Sequence, residues 1–86
     1  VLRNAKRFIY VTVMPDVTIG DFTTIAPNAV VLGNVAIGNK CYIGANATIL
    51  QNISICDDVI VGAGSVLTKN IEIPGKYSGV PARLMP

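Results

Sequence analysis

An aliphatic residue stands at every sixth position from one end of the chain's patterned region to the other: Val13, Ile19, Ile25, Val31, Ile37, Ile43, Ile49, Ile55, Val61, Leu67 and Ile73. A period of six fits neither the 3.6 of a helix nor the 2 of a plain strand. It fits a chain that turns a corner every six residues and sends one aliphatic side chain per corner into a shared interior. The pattern predicts an all-β solenoid of short strands.

The remaining positions of the hexad carry the corner chemistry. Counting the aliphatic residue as position one, position four reads Asp16, Phe22, Asn28, Asn34, Lys40, Asn46, Asn52, Asp58, Gly64 and Asn70. Eight of these ten are Asn, Asp or Gly, which enter the left-handed backbone region at least cost, so position four is the expected corner. Position five is small or apolar throughout, from Val17, Thr23 and Ala29 to Val59, Ser65 and Ile71, and suits a second inward row.

A looser repeat of eighteen residues makes three hexads one lap. It stacks Asp16, Asn34, Asn52 and Asn70 in one column, Gly20 and Gly38 in another, and Ala26, Gly44 and Gly62 in a third. A triangular prism of about four laps follows, with laps about 4.8 Å apart in parallel pairing and stacked Asn side chains able to bond along their column. The pattern divides the chain into an N-terminal capping segment (1–12), the hexapeptide-repeat prism (13–73) and a C-terminal loop and tail (74–86). Residues Phe8 to Val11 are expected to shield the open edge of the first lap. Pro74, Gly75 and Pro81 are expected to lead the chain off the prism.

Composition narrows the function classes. The net charge of +2 is too small to point to nucleic acid, and Arg3, Lys6 and Arg7 read as a solvated cluster. There is neither an apolar run of about eighteen residues nor a signal-peptide plan, so the default is a cytoplasmic protein without membrane attachment. Cys41 falls at an inward position and Cys56 at position two, which separates them and argues against a disulfide. At 86 residues a lone prism leaves much apolar surface uncovered, and the outward column Thr24, Tyr42, Ile60 points to self-association.

The hexads, together with Val61-Gly62-Ala63-Gly64-Ser65-Val66-Leu67 and the closing Gly79-Val80-Pro81-Ala82-Arg83, resemble the hexapeptide-repeat acyltransferases. The stretch Ile19-Gly20-Asp21-Phe22 followed by Ile25-Ala26-Pro27-Asn28-Ala29 is similar to the branch that acetylates sialic acids and nucleotide-linked amino-sugars, and the later pattern is also similar to serine acetyltransferases. The resemblance implies a left-handed parallel β-helix, a homotrimer with clefts between neighbouring prisms, acetyl-CoA as cofactor and a small-molecule acceptor. The hand comes from the resemblance alone, because ordinary parallel crossovers are right-handed.

The chemistry departs from that family. Acetyl transfer needs a base for the acceptor's proton, a task these families give to histidine, and this chain has none. Pro15 stands where the resemblance puts the histidine, and the neighbouring Asp16 is a weak candidate base that also belongs to the corner column. Without imidazoles no metal cluster is expected. For the coenzyme, Ala26, Gly44 and Gly62, extended by Ala45 and Ala63, offer a strip nearly free of side chains. Small residues at position two are equally accounted for by tight turns. Lys69 and Arg83 are the candidate phosphate contacts, following where the family meets the nucleotide end of coenzyme A. The expected function is an acyl-CoA-dependent acetyltransferase-like domain, acting on a hydroxyl or amine of a sugar or small metabolite, as a fragment or in impaired form; the alternative is a non-catalytic trimeric β-helix scaffold, with or without coenzyme A binding.

Overall fold

The computed structural model describes residues 7–8 and 12–86. Thirteen short strands follow one another: β1 (Arg7–Phe8), β2 (Thr12–Val13), β3 (Thr18–Ile19), β4 (Thr24–Ile25), β5 (Val30–Val31), β6 (Ala36–Ile37) and β7 (Tyr42–Ile43). They continue as β8 (Thr48–Ile49), β9 (Ser54–Ile55), β10 (Val59–Val61), β11 (Val66–Leu67), β12 (Gly75–Ser78) and β13 (Arg83–Leu84). Three sheets form the walls of a prism: β2-β5-β8-β11 the first face, β3-β6-β9 the second, and β1-β4-β7-β10-β12-β13 the third. Within the repeat every pairing is parallel and eighteen residues apart, such as Val13 opposite Val31 and Ile37 opposite Ile55.

The corners obey the expected stereochemistry. Asp16, Phe22, Asn28, Asn34, Lys40, Asn46, Asn52, Asp58 and Gly64 all have φ between 56° and 70°. From Asn34 to Gly64 this conformation aims each corner N–H along the prism axis at the preceding lap, where Asn52 donates to the Gly33 carbonyl at 3.0 Å and Lys40 to that of Asp21 at 2.9 Å. These corner donors are thereby satisfied between laps. The interior holds both inward rows: Ile25, Val31, Ile43, Ile49, Val61 and Leu67 from position one, and Ala29, Val35, Cys41, Ala47, Ile53 and Val59 from position five.

Register slips mark both ends. After Leu67 the hexad contracts by two residues: Ile71 pairs with Ile55 and is buried, whereas Ile73, expected inside, is 62% exposed. Asn70 consequently does not share the left-handed conformation of its column. Residues 75–78, expected as part of a loop leaving the prism, instead form β12, which pairs in parallel with β10 and brings Tyr77 opposite Val61. The chain then reverses, and β13 pairs antiparallel with β12. At the other end Phe8, not Arg7, lies opposite Ile25, so a one-residue contraction before Val13 lets the coil begin ahead of the regular repeat. Of the expected cap, Ile9, Tyr10 and Val11 lie outside the described residues. Val13 is 41% exposed in the first full lap, since no lap above it buries it among the described residues.

Candidate functional site

The prism has three vertices, and the site residues divide among them. The first vertex, between the first and second faces, is built from residues 14–17, 32–35, 50–53 and 68–70. The second takes 20–23, 38–41 and 56–58. The third takes 26–29, 44–47 and 62–65, where the chain returns from the third face to the first.

The strip of small residues runs down the third vertex, and its smallness has a structural cause. Ala26 and Gly44 are buried. A Cβ on Gly44 would stand 2.6 Å from the Ala63 nitrogen and 2.8 Å from the Gly62 carbonyl carbon, inside the next lap. Gly62 is half-buried above the Ser78 side chain, while Ala45 is half-buried and Ala63 exposed. Of the strip, Ala63 is open to a ligand, and Ala45 and Gly62 are partly so. Gly20 and Gly38 on the second vertex have a related cause, because a Cβ there would collide with the side chains of Asn39 and Asp57. Those side chains form a ladder that sequence reasoning missed: Asp21 N–H donates to Asn39 Oδ1 and Asn39 N–H to Asp57 Oδ1, both at 2.7 Å.

The first vertex carries two pockets. At its C-terminal end lies one of about 290 Å³, floored by Leu67, Ile71 and Tyr77, the inward side chains of the last lap. Lys69 and Arg83 line it together, with Pro81 and Ala82 at the side and no carboxylate in the lining. The hairpin that supplies Arg83 is fixed by hydrogen bonds from Val66 N–H to the Gly79 carbonyl, from Ala82 N–H to that of Val66, and from Gly79 N–H to Ser65 Oγ. Tyr77 is held by its hydroxyl, which donates to the Ile73 carbonyl at 2.7 Å.

A shallower pocket of about 390 Å³ lies further up the same vertex, lined by Met14, Pro15, Asp16, Asn34, Gln51 and Asn52 around Gly33. Asn34 Nδ2 donates to Asn52 Oδ1 at 2.9 Å, as expected for the stacked column. That bond leaves one amide oxygen and one amide nitrogen of the pair turned to solvent. Among the described residues that line it, Asp16 carries the one charged side chain. Pro15, Gly33, Gln51 and Lys69 occupy the same corner position in four successive laps, so Pro15 and Lys69 are roughly 14 Å apart at about 4.8 Å per lap. Gln51 was not among the expected site residues; its place in the column with Pro15 and Lys69 was the signal.

The cysteines do not contribute. Both are free; Cys41 is buried and donates to the Cys56 carbonyl at 3.2 Å. Burial pushes the Cys41 thiol above its ordinary value, opposed by a backbone hydrogen bond from Val59. Among the described residues no group of three or more His, Cys, Asp or Glu is placed to hold a metal ion, and no helix is long and apolar enough to cross a membrane.

Comparison with known proteins agrees with this architecture. Residues 34–69 match the family "Bacterial transferase hexapeptide (six repeats)". Among solved structures, WeeI from Acinetobacter baumannii AYE is 38% identical over 90% of this chain and 39% of its own, with a TM-score of 0.84. A mutant of perosamine N-acetyltransferase from Caulobacter crescentus, in complex with CoA and GDP-perosamine, is 21% identical over 88% of this chain and 53% of its own, with a TM-score of 0.74. Soybean serine acetyltransferase is 28% identical over 87% of this chain and 40% of its own, with a TM-score of 0.54. This chain therefore spans about half, or less, of the length of each. No curated protein sequence matches it. Repeat, fold and relatives together identify the chain as a hexapeptide-repeat left-handed β-helix, the architecture of that acyltransferase family.

Proposed function

We propose that this chain is the β-helical part of an acetyl-CoA-dependent acetyltransferase, with the coenzyme lying along the first vertex and the acceptor at the upper pocket. The observation that carries this reading is the alignment of two pockets on one vertex: an apolar floor with two cations at one end, a polar amide-lined pocket roughly 14 Å away at the other. That layout suits a long ligand with an anionic nucleotide at one end and its reactive group at the other. The Caulobacter structure holds CoA, but at 21% identity the likeness is one of fold, and the donor set of this chain makes the case for the coenzyme.

Lys69 and Arg83 would hold phosphate oxygens by charge-assisted hydrogen bonds, and Leu67, Ile71 and Tyr77 would pack against the base. Ala45 and Ala63 of a neighbouring copy would form the opposite, smooth wall in a homotrimer. Bound there, acetyl-CoA supplies an acetyl thioester. The chain's own contribution is to align acceptor and thioester, since effective concentration alone lowers the barrier substantially. The chain has no imidazole, and among the described residues of the upper pocket Asp16 carries the one carboxylate.

Calorimetric titration with acetyl-CoA tests the reading. The expected result is saturable binding, weakened about threefold to tenfold by either Lys69→Ala or Arg83→Ala. Binding that is absent in the native chain, or indifferent to both substitutions, rejects it. A purely structural trimer would associate normally while failing that titration.

A further inference from the structure

We propose that Ser65 is a positioning residue for the nucleotide end of the coenzyme: its buried hydroxyl pins the turn 79–82, and through that turn sets where Arg83 stands at the C-terminal pocket of the first vertex. This rests on the coenzyme reading above and names what holds the second cation of that site. Ser65 is a polar side chain in a place where the core has no need of one.

Ala29, Ala47 and Ser65 occupy the same inward site in three successive laps, and they are 0%, 0% and 1% exposed. Their backbones turn alike, each N–H donating to the carbonyl three residues earlier, of Ala26, Gly44 and Gly62, at 3.3, 3.2 and 3.3 Å. Alanine therefore fits this corner, and the Ser65 hydroxyl adds a group that burial penalises unless it is hydrogen-bonded. Its partner lies outside the repeat. The Ser65 oxygen accepts from Gly79 N–H at 3.1 Å. Gly62 leaves space for the contact, since a Cβ there would stand 3.0 Å from Ser78 Oγ and 3.5 Å from Ser65 Oγ.

Hydrogen bonds fasten the turn to the start of β11. Val66 donates its N–H to the Gly79 carbonyl at 3.0 Å and accepts from Ala82 N–H at 2.8 Å, and the Ser65 bond is the third. Ala82 packs against the core, while Val80 at the tip is 73% exposed. Arg83 thus enters the pocket one residue beyond this clasp, whereas Lys69 enters it from the prism itself. Of the three bonds, the one to Ser65 is the one a substitution can remove. A guanidinium held in place before the ligand arrives loses less freedom on binding, so the clasp strengthens the phosphate contact of Arg83 without touching the ligand.

Ser65→Ala is the test variant, and Ala29 and Ala47 show that this corner accepts it. In the ligand-free chain, amide hydrogen exchange at Gly79 and Ala82 should quicken about tenfold while Gly44 and Ala47 keep their protection. Calorimetry with acetyl-CoA then closes two double-mutant cycles. Ser65→Ala should weaken binding about threefold, and its combination with Arg83→Ala should bind like Arg83→Ala alone, because both act through one guanidinium. Combined with Lys69→Ala, the two losses should multiply. A merely structural role for Ser65 would make the losses multiply in both pairs. Unchanged exchange at the turn, unchanged affinity in Ser65→Ala, or losses that multiply in the Arg83 pair overturns the proposal. No binding by the native chain, with the exchange at the turn quickened as expected, would instead reject the coenzyme reading and leave the clasp standing.

Discussion

Phe22 sits at a corner with φ of 58° and is 56% exposed, so it bears the strain of a bulky residue in the left-handed region without the return of burial. Most of the other corners use Asn or Asp at this position, at lower cost. Phe22→Asn should therefore raise stability by about 0.5–1 kcal/mol, read as a higher urea midpoint at unchanged slope. A lower midpoint would mean the exposed ring is held by contacts the corner geometry does not require. Cys41 sets a pH limit of a different kind. Its thiol is neutral and buried, with a proton affinity higher in the folded state than in the unfolded one. Stability should be complete below the ordinary thiol value of 9.0 and decline as pH rises past it, a decline that Cys41→Ser should remove from the alkaline limb of a denaturation series.

Each hexad is an element that has meaning only against the hexads eighteen residues before and after it. Gly44 illustrates the point: it has no positive φ, and glycine is required because the next lap's backbone occupies the place of its Cβ. Gly44→Val should cost about 2–4 kcal/mol, with the loss visible as a shifted urea midpoint. A near-neutral result would show that laps can separate by a few tenths of an ångström at little expense. The buried Thr23 hydroxyl shows the same inter-lap logic, donating to the Gly38 carbonyl and accepting from Cys41 N–H at 2.8 and 3.2 Å. No buried side-chain polar atom among the described residues is without a partner.

At the scale of the molecule, the prism is a rigid ruler of 35 × 21 × 20 Å that places chemistry by vertex and by lap. The two-residue contraction after Leu67 has the widest consequence. It draws Ile71 inward, lets Tyr77 close the end of the core, and leaves room beneath for the pocket that Lys69 and Arg83 line. The third face remains apolar on its outer side at Tyr42 and Ile60, 45% and 46% exposed.

What the sequence determined alone was the local geometry: which residues turn, which point inward, and how many hexads make a lap. Those follow from left-handed propensity and hydrophobic period, properties each residue carries with it. Asn46 turns the chain wherever the lap lies. The tertiary structure decided what depends on neighbours across laps. Pairing energy, not period, made Ile71 the buried residue and sent Ile73 outside, because a strand follows the edge offered to it even when the hexad must lose two residues. The same holds for the site. Lys69 and Arg83, fourteen residues apart in a stretch with no repeat to relate them, meet through the reversal of β13 on β12. Ala26 and Gly44, which looked open in the repeat, are closed because the lap below lies against them.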